Sequence, residues 1–251
     1  MKHLKTLKGP MKPQFKVPLR EIIREKERRR EPPKEVLTEA DFHEVLKEDF
    51  LDAIKHGVLV SRMAAMVGRE MNQSQEFLDN LVLAGMLHDI GKLRLSRFLY
   101  GRAKGTLNIE ETKYMRRHSQ YSYEIVRAAG YNEEIQQMVY HHHENYDGTG
   151  YPDNLRGETI PLGARTLKVC DVFCALVSHR PYRAAFDTEV AIELMIDEVK
   201  NFDMEIFLMF QRVVNSEAFK ELQELIDHSY KSDTDVDLRE LSIKEFEEEN
   251  L

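Results

Sequence analysis

Cysteine is scarce: 251 residues contain only Cys170 and Cys174. A disulfide-stapled secreted scaffold is thereby excluded. Four apart in an apolar stretch, the two share a helix face without the geometry to bridge, and read as small core residues in a reducing compartment. No apolar run approaches the roughly 20 residues of a membrane span, and the N-terminus lacks the apolar centre of a signal peptide. Positive charge is not in excess either. The formal net charge is −8, so nothing sequence-wide predicts nucleic-acid binding. Period-two alternation never persists over a strand's length, and no internal repeat is visible. A cytoplasmic, soluble, all-α protein is expected.

What is present suits one substantial domain with tails. Hydrophobic residues make up 42% and charged residues 32%, enough for a large core under a solvated surface. Residues 1–37 read as a basic tail or linker: Pro10, Pro13 and Pro18 keep its start extended, and Pro32-Pro33 closes a short charged helix around "REKERRR". From Thr38 the pattern turns helical, with Thr38 and Asp41 in a capping-box arrangement. "HGVLVSRMAAMVGREM" continues as a long amphipathic helix, and "QEFLDNLVLAGMLHDIGK" is apolar enough to lie buried, with Gly91 as its stop. "NIEETKYMRRHSQYSYEIVRAAG", "NEEIQQMVYHHHEN", "LGARTLKVCDVFCALVSH", "DTEVAIELMIDEVKNF" and "MEIFLMFQRVV" add further helices. One bundle over residues 38–215 follows, and residues 216–251 should give a C-terminal helix and an acidic tail.

Candidate metal ligands are distributed through that bundle. His56 lies in one helix, His88 and Asp89 end the next, His118 begins or lies within a third, His142 and His143 sit in a fourth, and Asp171 in a fifth. Neighbouring groups are separated by about a helix and its turn. One or two ligands per helix, repeated round a bundle, is how bundles build metal sites in their cores. A histidine in a helix is more often a satisfied polar residue than a ligand; the joint pattern is harder to dismiss. Buried ionisable groups such as His88 and Asp89 are costly unless paired or metal-bound. Imidazoles and carboxylates without a thiolate favour Fe or Mn over Zn, and the ligands outnumber what one ion needs.

"HDIGK" followed by "HHENYDGTGYP" resembles the HD-GYP family, a branch of the HD phosphohydrolases that hydrolyses the bacterial second messenger cyclic di-GMP. "GTLNIEE", "RRHSQYSYEIV", "RGETIPLGART" and "KVCDVFCALVSHRPYR" fall in the family's order, over about residues 50–215. The resemblance implies an HD-type helical bundle with a metal centre in its core. His56, His88, Asp89, His118, His142, His143 and Asp171 would bind two Fe or Mn ions, with Asp89 bridging. Asp52 stands where three-metal members carry a glutamate, so a third ion depends on its shorter reach. Asp89 and Lys92 would be the catalytic pair. Lys92, Arg180 and Arg183 would face substrate phosphates, and Gly148, Gly150 and Tyr151 would form the loop at the substrate. Ser119 and Ser122 replace the family's usual proline and glycine, and Cys174 a frequent aspartate. The implied activity opens cyclic di-GMP to pGpG and on to GMP, under a regulatory protein partner or metal oxidation state. A weakly active sensor module and a phosphohydrolase for another nucleotide remain alternatives.

Among three adjacent histidines on a helix, side chains point about 100° apart. His141 is therefore expected behind the site or exposed. Glu144 is expected either to orient a ligand or to form a helix-end salt bridge, and Tyr151 either to stack on a base or to pack its own loop.

Overall fold

A computed structural model describes residues 39–99, 113–178 and 184–228. Nine helices are described: α1 Glu39–Glu70, α2 Gln75–Leu87, α3 Lys92–Leu99, α4 His118–Ala128, α5 Glu133–His141, α6 Leu162–Val177, α7 Thr188–Asp197, α8 Met204–Val214 and α9 Phe219–His228. Helical residues 113–115 and two single 3₁₀ turns, Gly157–Thr159 and Val199–Asn201, complete the regular structure, and no strand occurs among the described residues. The all-α expectation holds. Thr38, the N-terminal tail and the acidic C-terminal tail lie outside the described residues.

The helical pattern that continues through "HGVLVSRMAAMVGREM" is one 32-residue helix, α1. Gly57 of α1 and Gly85 of α2 sit where the two helices pass close. A Cβ on Gly57 would lie 2.8 Å from the Met86 carbonyl oxygen, and one on Gly85 2.9 Å from Ser61 Cα. Glycine's missing side chain lets α1 and α2 cross at backbone distance, which brings His56 beside the end of α2. Side-chain caps start three of the later helices: Ser74 Oγ, Asn132 Oδ1 and Asp203 Oδ1 accept from Phe77, Ile135 and Glu205 N–H.

Helix α6 is the axis. Packed against α1, α5, α7 and α8, it buries residues on every side, including Leu167, Cys170, Asp171, Phe173 and Cys174. A helix apolar nearly all round must lie inside. Away from Asp171 its neighbours are Phe210, Met195, Leu194 and Ile206, with the Phe173 and Phe210 rings 5.0 Å apart. Cys170 and Cys174 are buried and form no disulfide, as expected. Burial pushes the Cys170 thiol far above its ordinary range. Helix α9 contributes Phe219, Leu222 and Ile226 to this same core.

Candidate metal centre

The site forms where the ends of α2 and α5, the start of α4 and the middles of α1 and α6 meet. Helix α2 stops at Leu87; His88 follows as its C-cap, then Asp89 in a turn, and Lys92 opens α3. The expected stop at Gly91 is corrected by this. Gly91 is glycine for contact: a Cβ there would lie 2.2 Å from the His118 carbonyl oxygen and 2.5 Å from Ser122 N. Its N–H donates to the buried Ser122 hydroxyl at 2.8 Å. The histidine–aspartate turn is thereby docked on the first turn of α4, which His118 begins. Ser122 thus makes a positioning contact with the turn that carries His88 and Asp89.

A second correction concerns α5. It ends at His141, so His142 and His143 lie in the following turn and not on the helix. His142, the C-cap, keeps a right-handed helical backbone, and past this last turn both imidazoles reach one place. His118 Nε2 lies 2.9 Å from His143 Nε2 and 3.4 Å from His142 Nε2. Asp89 Oδ1 is 3.2 Å from His118 Nε2. Asp89, His118, His142 and His143 thus offer ligand atoms within 4.8 Å of one another, as do His56, His88 and Asp89. Asp89 belongs to both groups. Asp171 Oδ1 joins the second, 2.9 Å from His56 Nε2 and 3.5 Å from His88 Nε2. Neither group includes Asp52, which is half-buried four residues before His56.

Three of these rings are aimed by their own backbone. Nδ1–H of His88, His118 and His142 donates to the carbonyl three residues back, at Gly85, Met115 and Val139, over 2.7, 2.7 and 2.6 Å. In a neutral imidazole that leaves Nε2 with a lone pair turned inward. His88 Nε2 and Asp89 Oδ1 are buried without a hydrogen-bond partner. Buried acceptors facing one another, with few donors, lack the positive charge that would reconcile them. Divalent cations supply that charge, so the residues present fit a metal pair, and backbone-anchored histidines are how proteins fix ligand tautomers.

The electrostatics agree. Burial alone would raise the Asp89 carboxyl, but the Lys92 ammonium in contact with Oδ2 and the His88 imidazole hold it well below the carboxylate range. Asp171 is held low against the same burial by His56 and His88. Burial pushes His118, His142 and His143 down; Asp89 opposes this at His118, whereas neighbouring imidazoles add to it at His142 and His143, with Lys168 adding at His143. Burial would lower His88 too, but Asp89 and Asp171 outweigh it and raise it to about 10. Without metal, one proton on His88 partly compensates the two carboxylates.

His141 is buried but turned away, with Nε2 3.0 Å from Gln137 Oε1 and Nδ1 3.8 Å from Glu144 Oε1. Burial lowers its pKa. Glu144 accepts the Asp153 N–H at 2.7 Å and so ties the glycine-rich loop back onto the histidine turn. Gly148 adopts φ +82°, whereas Gly150 is glycine because a Cβ would lie 2.2 Å from Asn145 N. The Tyr151 ring packs its own loop, stacked on His143 at 4.7 Å and 30°. Burial and the Asp89 and Asp171 charges raise its hydroxyl far above the usual range. Arg180 and Arg183 lie outside the described residues. Motif spacing singles out neither Lys168, one turn before Asp171, nor Arg116, whose guanidinium carbon lies 5.1 Å from the Tyr151 ring centroid. Only the excess of basic residues near His118 hinted at the second.

The sequence model of the HD domain matches residues 33–206. The cyclic di-GMP phosphodiesterase response regulator RpfG of Xanthomonas campestris pv. campestris is 34% identical over 169 residues, 66% of this chain and 43% of that protein. The 3'3'-cGAMP-specific phosphodiesterase 1 of Vibrio cholerae is 31% identical over 170 residues, 67% of this chain and 39% of that protein. This chain thus spans less than half the length of these curated relatives. Among solved structures, Bd1817, a HDG"Y"P protein from Bdellovibrio bacteriovorus, shares the fold at a TM-score of 0.55 and 18% identity, over 65% of this chain and 53% of that one. No helix among the described residues is long and apolar enough to cross a membrane. Helical bundle, buried histidine–aspartate cluster and sequence likeness agree: the chain belongs to the HD-GYP family of the HD superfamily.

Proposed function

We propose that the chain is a metal-dependent phosphodiesterase that opens cyclic di-GMP to pGpG and then to GMP, lowering the messenger's concentration. The convergence of backbone-anchored imidazole lone pairs on Asp89 carries this reading. The relatives' names support a cyclic dinucleotide containing guanine, as cyclic di-GMP or 3'3'-cGAMP. His56, His88 and Asp171 would hold one Fe or Mn ion, and His118, His142 and His143 a second, with Asp89 shared between them. When bound, such a pair supplies Lewis acidity, lowering the pKa of water and neutralising charge on a phosphoryl oxygen.

The chain's own groups would prepare the site. The inward Nε2 lone pairs are preset by the Gly85, Met115 and Val139 carbonyls, so no ring need rotate on binding. Lys92 keeps Asp89 ionised and, at 35% exposure, retains a path to a substrate phosphate. Tyr151, held on His143 by the closed loop, would border the dinucleotide, with Gly148 and Gly150 shaping that border. Arg180 and Arg183 would add phosphate contacts from the segment after α6.

Anaerobically purified protein should contain close to two Fe or Mn per chain by elemental analysis. Offered cyclic di-GMP, 3'3'-cGAMP and cyclic di-AMP, it should convert the first fastest, with pGpG preceding GMP on chromatography. Protein loaded with either metal that leaves all three intact refutes the assignment.

A further inference from the structure

Arg116 lies in the turn leading into α4, two residues before His118, and is exposed. That turn is fixed twice, since the Met115 carbonyl accepts His118 Nδ1–H at 2.7 Å and the Arg116 carbonyl accepts the Ser119 hydroxyl at 3.2 Å. The guanidinium packs over the Tyr151 ring, which also stacks on His143 and has its centroid 6.5 Å from that of His118. A cation over a ring engages the aromatic face and leaves the peripheral N–H donors for other partners. Other arginines of the chain have carboxylates: Arg94 meets Glu124 at 2.8 Å, and Arg165 meets Asp203. Among the described residues no carboxylate pairs with Arg116. A planar five-donor fork is thus held in place, one aromatic ring away from the metal ligands.

A cyclic dinucleotide carries two phosphodiesters, and only one can react at the metal centre at a time. The other keeps its negative charge and must be accommodated nearby. We infer that Arg116 is a further substrate-binding residue, which holds the uncleaved phosphate at the rim where Tyr151 covers His143. This deepens the proposed function and rests on it. A guanidinium already ordered by a ring loses less side-chain freedom on binding, and its fork matches two phosphate oxygens. The contact stays on one phosphate while the other reacts, so it contributes to substrate affinity more than to the chemical step.

The test uses the full metal-loaded chain with Arg116→Ala and Arg116→Lys. Calorimetry with a hydrolysis-resistant phosphorothioate of cyclic di-GMP should show Arg116→Ala binding about tenfold more weakly, as for loss of a charged hydrogen bond. On cyclic di-GMP itself that loss should appear in KM, with kcat changed less than about threefold. Bis(p-nitrophenyl) phosphate has a single phosphodiester, so its turnover should fall by a much smaller factor. Lysine keeps the charge without the fork and should restore affinity in part. Unchanged binding in Arg116→Ala overturns the inference. So do equal losses on both substrates with reduced metal content, which would make Arg116 a packing partner of Tyr151 alone. Wild-type protein that neither binds nor cleaves any cyclic dinucleotide removes the functional reading; wild type that does both, beside an indistinguishable Arg116→Ala, removes only this one.

Discussion

Helix α6 separates two regions built on opposite rules. On its apolar side Phe173, Met195, Ile206 and Phe210 are nearly inaccessible and interlock by shape, attracted to one another through their surfaces. On the side of Asp171 the buried groups are imidazoles and carboxylates, some attracting and others crowding one another. His118, His142 and His143 present nitrogens 2.9 to 3.4 Å apart, and His88 Nε2 finds no partner. Carbonyls of the same helices and the α1–α2 crossing hold them there. The first region makes the fold stable. The second draws on that stability to keep an arrangement that favours a bound cation.

Asp89→Ala breaks this contrast most sharply. The carboxylate common to both ligand groups disappears, and turnover should fall roughly 10³-fold or more, as for one member of a catalytic unit. The metal-free fold should lose less than about 2 kcal/mol. Lys92 is 35% exposed and can turn to water, and histidines freed of the carboxylate can shed their protons. Chemical denaturation without metal, set beside steady-state turnover, separates the two effects. A collapse of stability equal to the loss of activity would show that the site holds the bundle together.

Phe173→Ala is the mirror experiment, on α6 two positions after Asp171. A cavity in the fully buried core should cost about 3–5 kcal/mol, read as a lower urea midpoint. Metal per folded chain should stay at the wild-type value under native conditions. Loss of metal from protein that is still folded would mean that core packing sets the position of Asp171.

The unequal legibility of the two regions follows from the same physics. Apolar periodicity marks a buried face, and helices α2, α6 and α8 are readable from it. That His56, His88, Asp89, His118, His142, His143 and Asp171 are candidates was readable because their residue types and spacing match a family motif, and the structure places them side by side. Their orientation was not, since it depends on where helices end. His142 and His143 were expected within α5, which stops at His141, and their approach to His118 is a contact between distant segments. Gly91 looked like a helix stop because glycine commonly is one; its real constraint, the His118 carbonyl, belongs to a chain segment 27 residues on. Arg116 has no motif, and its contact with Tyr151 exists only once α4 and the glycine-rich loop are folded. Contacts between segments distant in sequence leave no period to read.

Ser122 joins the two regions at their smallest scale. Its hydroxyl, fully buried, accepts the Gly91 N–H at 2.8 Å and fixes the turn that carries His88 and Asp89. Ser122→Ala removes the acceptor and strands a buried N–H, which should cost about 1–3 kcal/mol in denaturation. Alanine adds no bulk, so the helix itself should persist. Because Asp89 serves both ligand groups, slack in this turn reaches both. Metal affinity, read by titration of Mn(II) into chelator-treated protein, should weaken by about tenfold, the lower range for loss of an outer-shell contact. A loss of stability with unchanged affinity would mean that the Gly91 backbone contacts alone position Asp89, and that the hydroxyl belongs with the stabilising region and not with the metal centre.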